Sequence, residues 1–179
     1  ARLVVSAWRH RTADLQSRNG IQQVFCFENR GEEIGVTLNH PHGQIYGYPY
    51  LTPRSEQMLA AASEHRMRTG ANLFADLLAR ELAHSLTDLD DAELDGFAEI
   101  YSEVLQRFDR MYPTPLPYIS ALLQYRNTAE QRDGYFHVEL MSVRRSATKL
   151  KYLAGSESAM DAFVSDVTPE GIASRLREV

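Results

Sequence analysis

Residues 39–44 read Asn-His-Pro-His-Gly-Gln, and this stretch carries more information than any other in the chain. In an extended segment, residues i and i+2 project to the same face, so His40 and His42 can serve one site. The proline between them stiffens the backbone, and the glycine after them lets a backbone N–H approach a ligand closely. Gln44 adds a neutral donor and acceptor. The cluster suits attack by an imidazole nitrogen on a phosphate ester. The alternative is a loop with two solvated histidines, since a bare His-x-His arises often by chance.

Composition narrows the class of protein before any further motif is considered. A chain of 179 residues with 44% hydrophobic content fits one globular domain, or two small ones. Its net charge of -5 argues against a nucleic-acid partner, which requires a basic face. The single cysteine, Cys26, excludes an internal disulfide and favours a reducing, cytoplasmic compartment. No apolar run approaches the length of a membrane span. Because the chain opens on Ala1 rather than Met, we expect further sequence upstream.

Hydrophobic periodicity predicts a mixture of helices and strands. Helices are predicted at 2–18, 56–68 and 72–82. A long helix is predicted from a cap at Thr87 or Asp88 to about residue 108, and a short one begins after Thr168-Pro169. Strands are predicted at 21–27, 34–38, 44–51, 118–124 and 136–143, with a turn at Asn29-Arg30-Gly31. The aromatic stripe on residues 94–108 is interpreted as core and receives no chemical role.

Three further features allow a functional and a structural interpretation each. Asn29 follows a predicted strand at a turn, where it could contact a ribose or phosphate, but the local sequence favours an ordinary Asx turn. His137 and Glu139 share one face of a strand and could bind a metal, or form a half-exposed ion pair. The segment Arg144-Arg-Ser-Ala-Thr-Lys-Leu-Lys-Tyr152, followed by Gly155-Ser-Glu157, could hold a sugar phosphate. Its alternative is a solvated basic edge.

Taken together, these motifs resemble one family. Phe27-Glu-Asn-Arg-Gly31, Gly35-Val-Thr-Leu-Asn-His-Pro-His-Gly-Gln44, the strand with His137, Arg145-Ser-Ala-Thr148 and Lys151-Tyr152 occur in that order. The order resembles the galactose-1-phosphate uridylyltransferases of the histidine-triad superfamily. The resemblance implies an α+β fold of histidine-triad type, with a mostly antiparallel sheet and packed helices.

The resemblance also implies an organisation into two halves. Residues 1–83 correspond to the C-terminal part of a first histidine-triad-like half that carries the His-Pro-His element, and residues 84–179 to a second half. Family members carry a few dozen more residues where this chain joins residues 83 and 84, so the second half is partly missing. Either the chain lacks that segment, or the sequence as printed omits residues there.

The family's reaction assigns roles to residues of the quoted motifs. His42 would attack the α-phosphorus of UDP-glucose, release glucose-1-phosphate and form a uridylyl-histidine, from which galactose-1-phosphate takes UMP to give UDP-galactose in the Leloir pathway. Gln44 would donate to a phosphate oxygen during transfer. The other positions implied as substrate-binding are Asn29, Gly35, Val36 and Thr37 for the nucleotide and phosphate, and Lys151, Tyr152, Ser156 and Glu157 for the hexose phosphate.

Metals and partners follow from the same resemblance. His40 matches a zinc ligand, but the family's other ligands, a Cys-x-x-Cys pair and a histidine, lie upstream, so this chain alone cannot complete the zinc site. His137-Val-Glu139 stands where members with a second, iron-type site have His-x-His, and we predict that this second metal is lost. The site is expected to require the N-terminal part of the enzyme, and the family implies a homodimer.

Two alternatives remain open. One is a related histidine-triad nucleotidyl phosphorylase or adenylyltransferase, with the same chemistry at His42 and a different base or acceptor. The other is a non-catalytic half-protein that needs its N-terminal partner.

Overall fold

The computed structural model describes residues 1–36, 43–78, 83–153, 155–160 and 167–179. The strands are β1 (Gln23–Arg30), β2 (Gly43–Tyr48), β3 (Tyr118–Leu123) and β4 (His137–Met141). The helices are α1 (Arg2–Gln16), α2 (Pro53–Thr69), α3 (Leu73–Leu78), α4 (Asp91–Arg110), α5 (Gly155–Met160) and α6 (Pro169–Glu178). Two 3₁₀ turns, Glu32–Ile34 and Leu86–Asp88, precede β2 and α4 respectively.

The four strands form one antiparallel sheet in the order β2-β1-β3-β4. The register places Gln44 opposite Phe27, Phe27 opposite Ala121 and Ala121 opposite Glu139, in a single row across the sheet. Because side chains alternate along a strand, all four residues of this row project to the same face. The predicted α+β class with a mostly antiparallel sheet is confirmed.

Helices α1 and α4 cover one face of the sheet and enclose the main core. Trp8 and Leu94 are 3% and 2% exposed, and they pack with Val24, Cys26 and Leu122 from the strands. The apolar stripe on residues 94–108 therefore faces the core, as its 3.6-residue period predicted. Strand residues of both predicted halves contribute to this core, so the two halves share one sheet and one apolar interior.

The opposite face is covered only in part. Leu59 of α2 packs with Ala121, Leu123 and Tyr125 in a smaller buried cluster. Toward β2 the same face carries Tyr46, which is 45% exposed. We call this side of the sheet the open face.

Two local predictions near Gly31 are wrong. Residues 34–36 do not form a strand, because Ile34 donates to the carbonyl of Gly31 and Gly35 to that of Glu32, which closes a 3₁₀ turn. Asn29 and Arg30 do not form a turn or an Asx turn, because β1 continues through them and pairs with β3. The chain turns instead at Gly31, where φ is +113° and a Cβ would lie 2.6 Å from the Cβ of Pro117.

The helix boundaries also differ in places. Asp90, not Thr87 or Asp88, caps α4, and it forms a capping box with Glu93. Helix α5 was not predicted, since its six residues are too few for a periodic pattern. The predicted cap of the last helix is confirmed, because Thr168 Oγ1 accepts a hydrogen bond from the N–H of Gly171. None of the helices in the described ranges is long and apolar enough to cross a bilayer.

The join between the predicted halves is tied into the structure on both sides. The carbonyl of Ala83 accepts from the N–H of Phe136, and that of His84 from the N–H of Tyr125. The position of the boundary at residues 83–84 stays a prediction.

Candidate active site

The candidate site lies where the end of β1 is next to the start of β2. Asn29 is two residues beyond Phe27 on β1, and Phe27 is opposite Gln44 on β2. Asn29 and Gln44 therefore project to the open face as diagonal neighbours, roughly 7–8 Å apart. Of the predicted site residues, Thr37, His40 and His42 lie outside the described residues.

The amide of Gln44 has a defined orientation. Its Oε1 accepts a hydrogen bond of 2.8 Å from the hydroxyl of Tyr46. The Tyr46 ring packs edge-on against Phe27, with 5.0 Å between ring centroids. Because the amide oxygen is engaged, the two N–H groups are what Gln44 presents to a ligand, and an anion is the complementary group.

Gly43, the residue after His42, is packed from the other face of the sheet. A Cβ at this position would lie 3.3 Å from the carbonyl oxygen of Phe27 and 3.4 Å from two atoms of the Trp8 indole. Trp8 is itself fixed against Tyr101, edge-on at 5.9 Å. The sequence suggested that this glycine gives a ligand close access to the backbone. The structure shows that the lack of a side chain at this position lets Trp8 of α1 pack against the start of β2.

A buried carboxylate lies next to this packing and was not predicted. Glu28, opposite Gly43 in the register, is 8% exposed and accepts from the hydroxyls of Tyr118 at 3.0 Å and Tyr101 at 3.4 Å. The hydroxyls of Tyr101 and Ser120 are also within hydrogen-bond distance, 2.8 Å apart. Burial, followed by the charge of Glu28, raises the pKa of both tyrosines. The signal available in the sequence was the alternation of β1, which turns Glu28 toward the core.

The backbone at Gly35 and Val36 offers less to a ligand than expected. Gly35 N–H donates to Glu32 and Val36 N–H to Gly31, so neither amide is a donor for phosphate in this conformation. At Gly35, φ is +83° and a Cβ would meet open space, so close access to the backbone is preserved there.

The predicted hexose-phosphate residues lie together in the second half. Lys151 Nζ is 3.8 Å from Glu157 Oε1, and the Glu157 side chain is only 6% exposed. Tyr152 is 53% exposed, and Ser156 is an exposed residue of α5. This basic segment is more than a solvated edge, because Arg144 is 10% exposed and donates to Glu33 at 2.7 Å. That bond connects the segment to the turn that follows β1.

His137 and Glu139 share the open face of β4, as their spacing predicted, with 3.8 Å between His137 Nε2 and Glu139 Oε1. Arg54 donates to the same carboxylate at 2.7 Å. His137 and then Arg54 lower the pKa of Glu139, against the opposing effect of partial burial. These contacts agree with the ion-pair interpretation of the two residues.

The predicted zinc ligand, His40, lies outside the described residues, so the zinc site stays a prediction. Cys26 is fully buried in the core beside Thr12 and Gln124, and burial raises the pKa of its thiol to about 11. No three His, Cys, Asp or Glu side chains within the described ranges are grouped to hold a metal ion. We therefore assign no chemical step to a metal.

The fold is similar to that of two solved proteins. A solved uridylyltransferase structure superposes with a TM-score of 0.91 at 26% identity, over 99% of this chain and 66% of that one. An ADP-glucose phosphorylase from Arabidopsis thaliana gives a TM-score of 0.86 at 15% identity, which shows a shared fold.

Sequence comparison identifies the relatives more closely. Residues 1–52 match the family model described as galactose-1-phosphate uridyl transferase, N-terminal domain. The galactose-1-phosphate uridylyltransferase of Streptomyces lividans is 36% identical over the whole chain, and that of Thermotoga maritima is 29% identical over 98% of it. The chain is therefore related along its whole length to the galactose-1-phosphate uridylyltransferases, and the resemblance of its motifs is confirmed.

The chain is shorter than these relatives. It spans 63% of the Streptomyces protein and 66% of the Thermotoga protein. The Streptomyces alignment covers 223 positions against 179 residues here, so 44 of its positions have no counterpart in this chain. That excess is of the size expected for the segment that we predict to be missing at the join of the two halves.

Proposed function

We propose that this chain contributes the nucleophile and much of the substrate site of a UDP-glucose–hexose-1-phosphate uridylyltransferase. The observation that carries the proposal is that Asn29 of β1 and Gln44 of β2 lie on one face of the sheet. Gln44 is at the start of β2, which His42 directly precedes. The 36% identity to a galactose-1-phosphate uridylyltransferase supports it.

His42 is the nucleophile in this proposal. It directly precedes Gly43, the first residue of β2. If the alternation of β2 extends by one residue, its side chain faces the same side as Gln44. One imidazole nitrogen then attacks the α-phosphorus of UDP-glucose while the other keeps its proton. The phosphorus–oxygen bond to glucose-1-phosphate breaks, and a uridylyl-histidine remains.

Gln44 stabilises the charge that moves during this step. Tyr46 holds the amide oxygen, so the N–H groups can donate to a non-bridging oxygen of the α-phosphate. Asn29, its neighbour on the open face, binds the same phosphate or the ribose in this proposal. Galactose-1-phosphate then attacks the phosphorus and takes the uridylyl group, which regenerates the free imidazole.

Lys151 and Glu157 hold the hexose phosphate in this proposal. The ammonium group pairs with phosphate, and the buried carboxylate accepts from sugar hydroxyls. Tyr152, before α5, and Ser156, within α5, contribute further contacts. A homodimer, a cytoplasmic location and the need for an N-terminal part belong to the same proposal. Zinc at His40 would require ligands from that part, and no step above depends on it.

Covalent labelling tests the proposal. The chain is incubated with UDP-glucose, alone and with the N-terminal part of the Streptomyces lividans relative, and intact mass is measured. We expect one uridylyl group per chain in at least one condition, absent in His42→Asn and retained in the control His10→Asn on α1. ADP-glucose in a parallel sample identifies an adenylyltransferase. Absence of any adduct in both conditions supports the non-catalytic half-protein instead.

A further inference from the structure

A cavity of about 260 Å³ lies at the C-terminal end of α4, and none of the described residues proposed to bind substrate lines it. Its apolar wall includes Phe108 of α4, Leu116 of the segment before β3, Leu140 of β4 and Ile172 of α6. Phe108 and Leu116 are 8% and 2% exposed, so this wall belongs to the ordered interior. A cavity of about 150 Å³ can accommodate benzene, so this space is large enough for an aromatic ring with a polar substituent.

The charged part of the lining is entirely cationic. Arg144 and Arg175 both line the cavity, and no carboxylate of the described residues does. The Arg144 side chain is 10% exposed, and its Nη atoms donate to Ala147 and Glu33. Its Nε is also buried, yet the described residues supply no acceptor for it. A buried donor without an acceptor is costly, which indicates that an oxygen from outside this set completes the site.

Arg175 is held at the same cavity by Tyr112. Its guanidinium lies 5.3 Å from the centre of the Tyr112 ring, and its Nη1 donates to the Tyr112 hydroxyl at 3.4 Å. This packing pre-organises the guanidinium, and guanidinium groups bind carboxylate and phosphate through paired hydrogen bonds.

We infer that this cavity binds a small oxyanion with an apolar body, either an aromatic carboxylate or an aromatic phosphate monoester. The ring occupies the apolar wall, and the acid group lies between Arg144 and Arg175. Arg144 also donates to Glu33, so an occupant of the cavity would contact a side chain that is bonded to the turn after β1.

Ligand-observed NMR titration of the intact chain tests the inference with four probes. Benzoate and phenyl phosphate carry both the ring and the charge, whereas acetate has only the charge and benzyl alcohol only the ring. We expect benzoate, phenyl phosphate or both to bind about fivefold or more tightly than acetate and benzyl alcohol. Whichever binds identifies the acid group.

Matched variants locate the site. Arg175→Gln should weaken the binding of the active probe about fivefold or more, and Arg177→Gln, on the same helix but outside the lining, less than twofold. Ile172→Trp should block the cavity, while Ile100→Trp on the exposed face of α4 should not. Equal effects of Arg175→Gln and Arg177→Gln, no preference over acetate and benzyl alcohol, or no saturable binding would overturn the inference.

Discussion

At the scale of single residues, the candidate site depends on side chains that hold other side chains. Tyr46 fixes the amide of Gln44, and Trp8 packs against Gly43. The sequence identified Gln44 from its motif, but neither supporting residue could be found that way. Tyr46 has an ordinary position in an alternating strand, and Trp8 lies in a helix more than thirty residues earlier in the chain.

Tyr46→Phe should lower the rate of uridylyl transfer about two- to tenfold without changing the fold. The substitution removes one hydrogen bond, worth about 0.5–1.5 kcal/mol, and leaves the Gln44 amide free to rotate. Steady-state kinetics measures the effect, and Tyr50→Phe, an exposed tyrosine further along, is the control. An unchanged rate in Tyr46→Phe would mean that the amide orientation does not matter.

Gly43→Ala and Gly96→Ala should shift stability in opposite directions. The added methyl group at Gly43 meets a backbone carbonyl and a buried indole, so we expect a loss of about 1 kcal/mol in the free energy of unfolding. At Gly96, inside α4, the methyl group meets open space, so we expect a gain of about 0.5–1 kcal/mol. Denaturant unfolding measures both, and a stabilising Gly43→Ala would show that Trp8 does not confine this position.

At the scale of secondary-structure elements, β1, β3 and α4 are joined by the buried hydrogen bonds of Glu28. Strands β3 and β4 and the stripe on α4 were predicted from the sequence nearly at their observed bounds, because long runs with a clear period report burial directly. The prediction of a strand at residues 34–36 was wrong, because a few apolar residues between glycines satisfy the strand pattern by chance. The Glu28 contacts could not be predicted, since they join residues 73 and 90 positions apart.

Tyr118→Phe should destabilise the protein by about 1–3 kcal/mol. The change keeps the ring but leaves the buried Glu28 carboxylate without its 3.0 Å donor, and a buried charge that loses a hydrogen bond carries the desolvation cost. Chemical denaturation at neutral pH measures the change. Tyr152→Phe, at an exposed site, should stay within about 0.5 kcal/mol. A Tyr118→Phe variant as stable as the native chain would show that Glu28 has another source of stabilisation.

At the scale of the whole molecule, the two predicted halves are joined by the pairing of β1 with β3 and by a common core. The family resemblance predicted two similar halves, but it could not show how much structure they share in this chain. Since the core draws on both halves, neither should be stable without the other.

Unfolding should therefore occur in one cooperative transition. Trp8, the single tryptophan, is 3% exposed and reports the core by fluorescence, while far-UV circular dichroism reports all the helices. We expect both signals to change at the same denaturant concentration. Two separate midpoints would show that residues 1–83 and 84–179 unfold independently.

Isotope exchange tests the central claim, a covalent intermediate at position 42, most directly. The chain, with an N-terminal part where one is needed, is given UDP-glucose and labelled glucose-1-phosphate, without galactose-1-phosphate. We predict that label enters UDP-glucose, and that His42→Asn stops the exchange, because only a uridylyl-enzyme can return UMP to the first product. Transfer to galactose-1-phosphate without this exchange, or exchange that survives His42→Asn, would contradict the account.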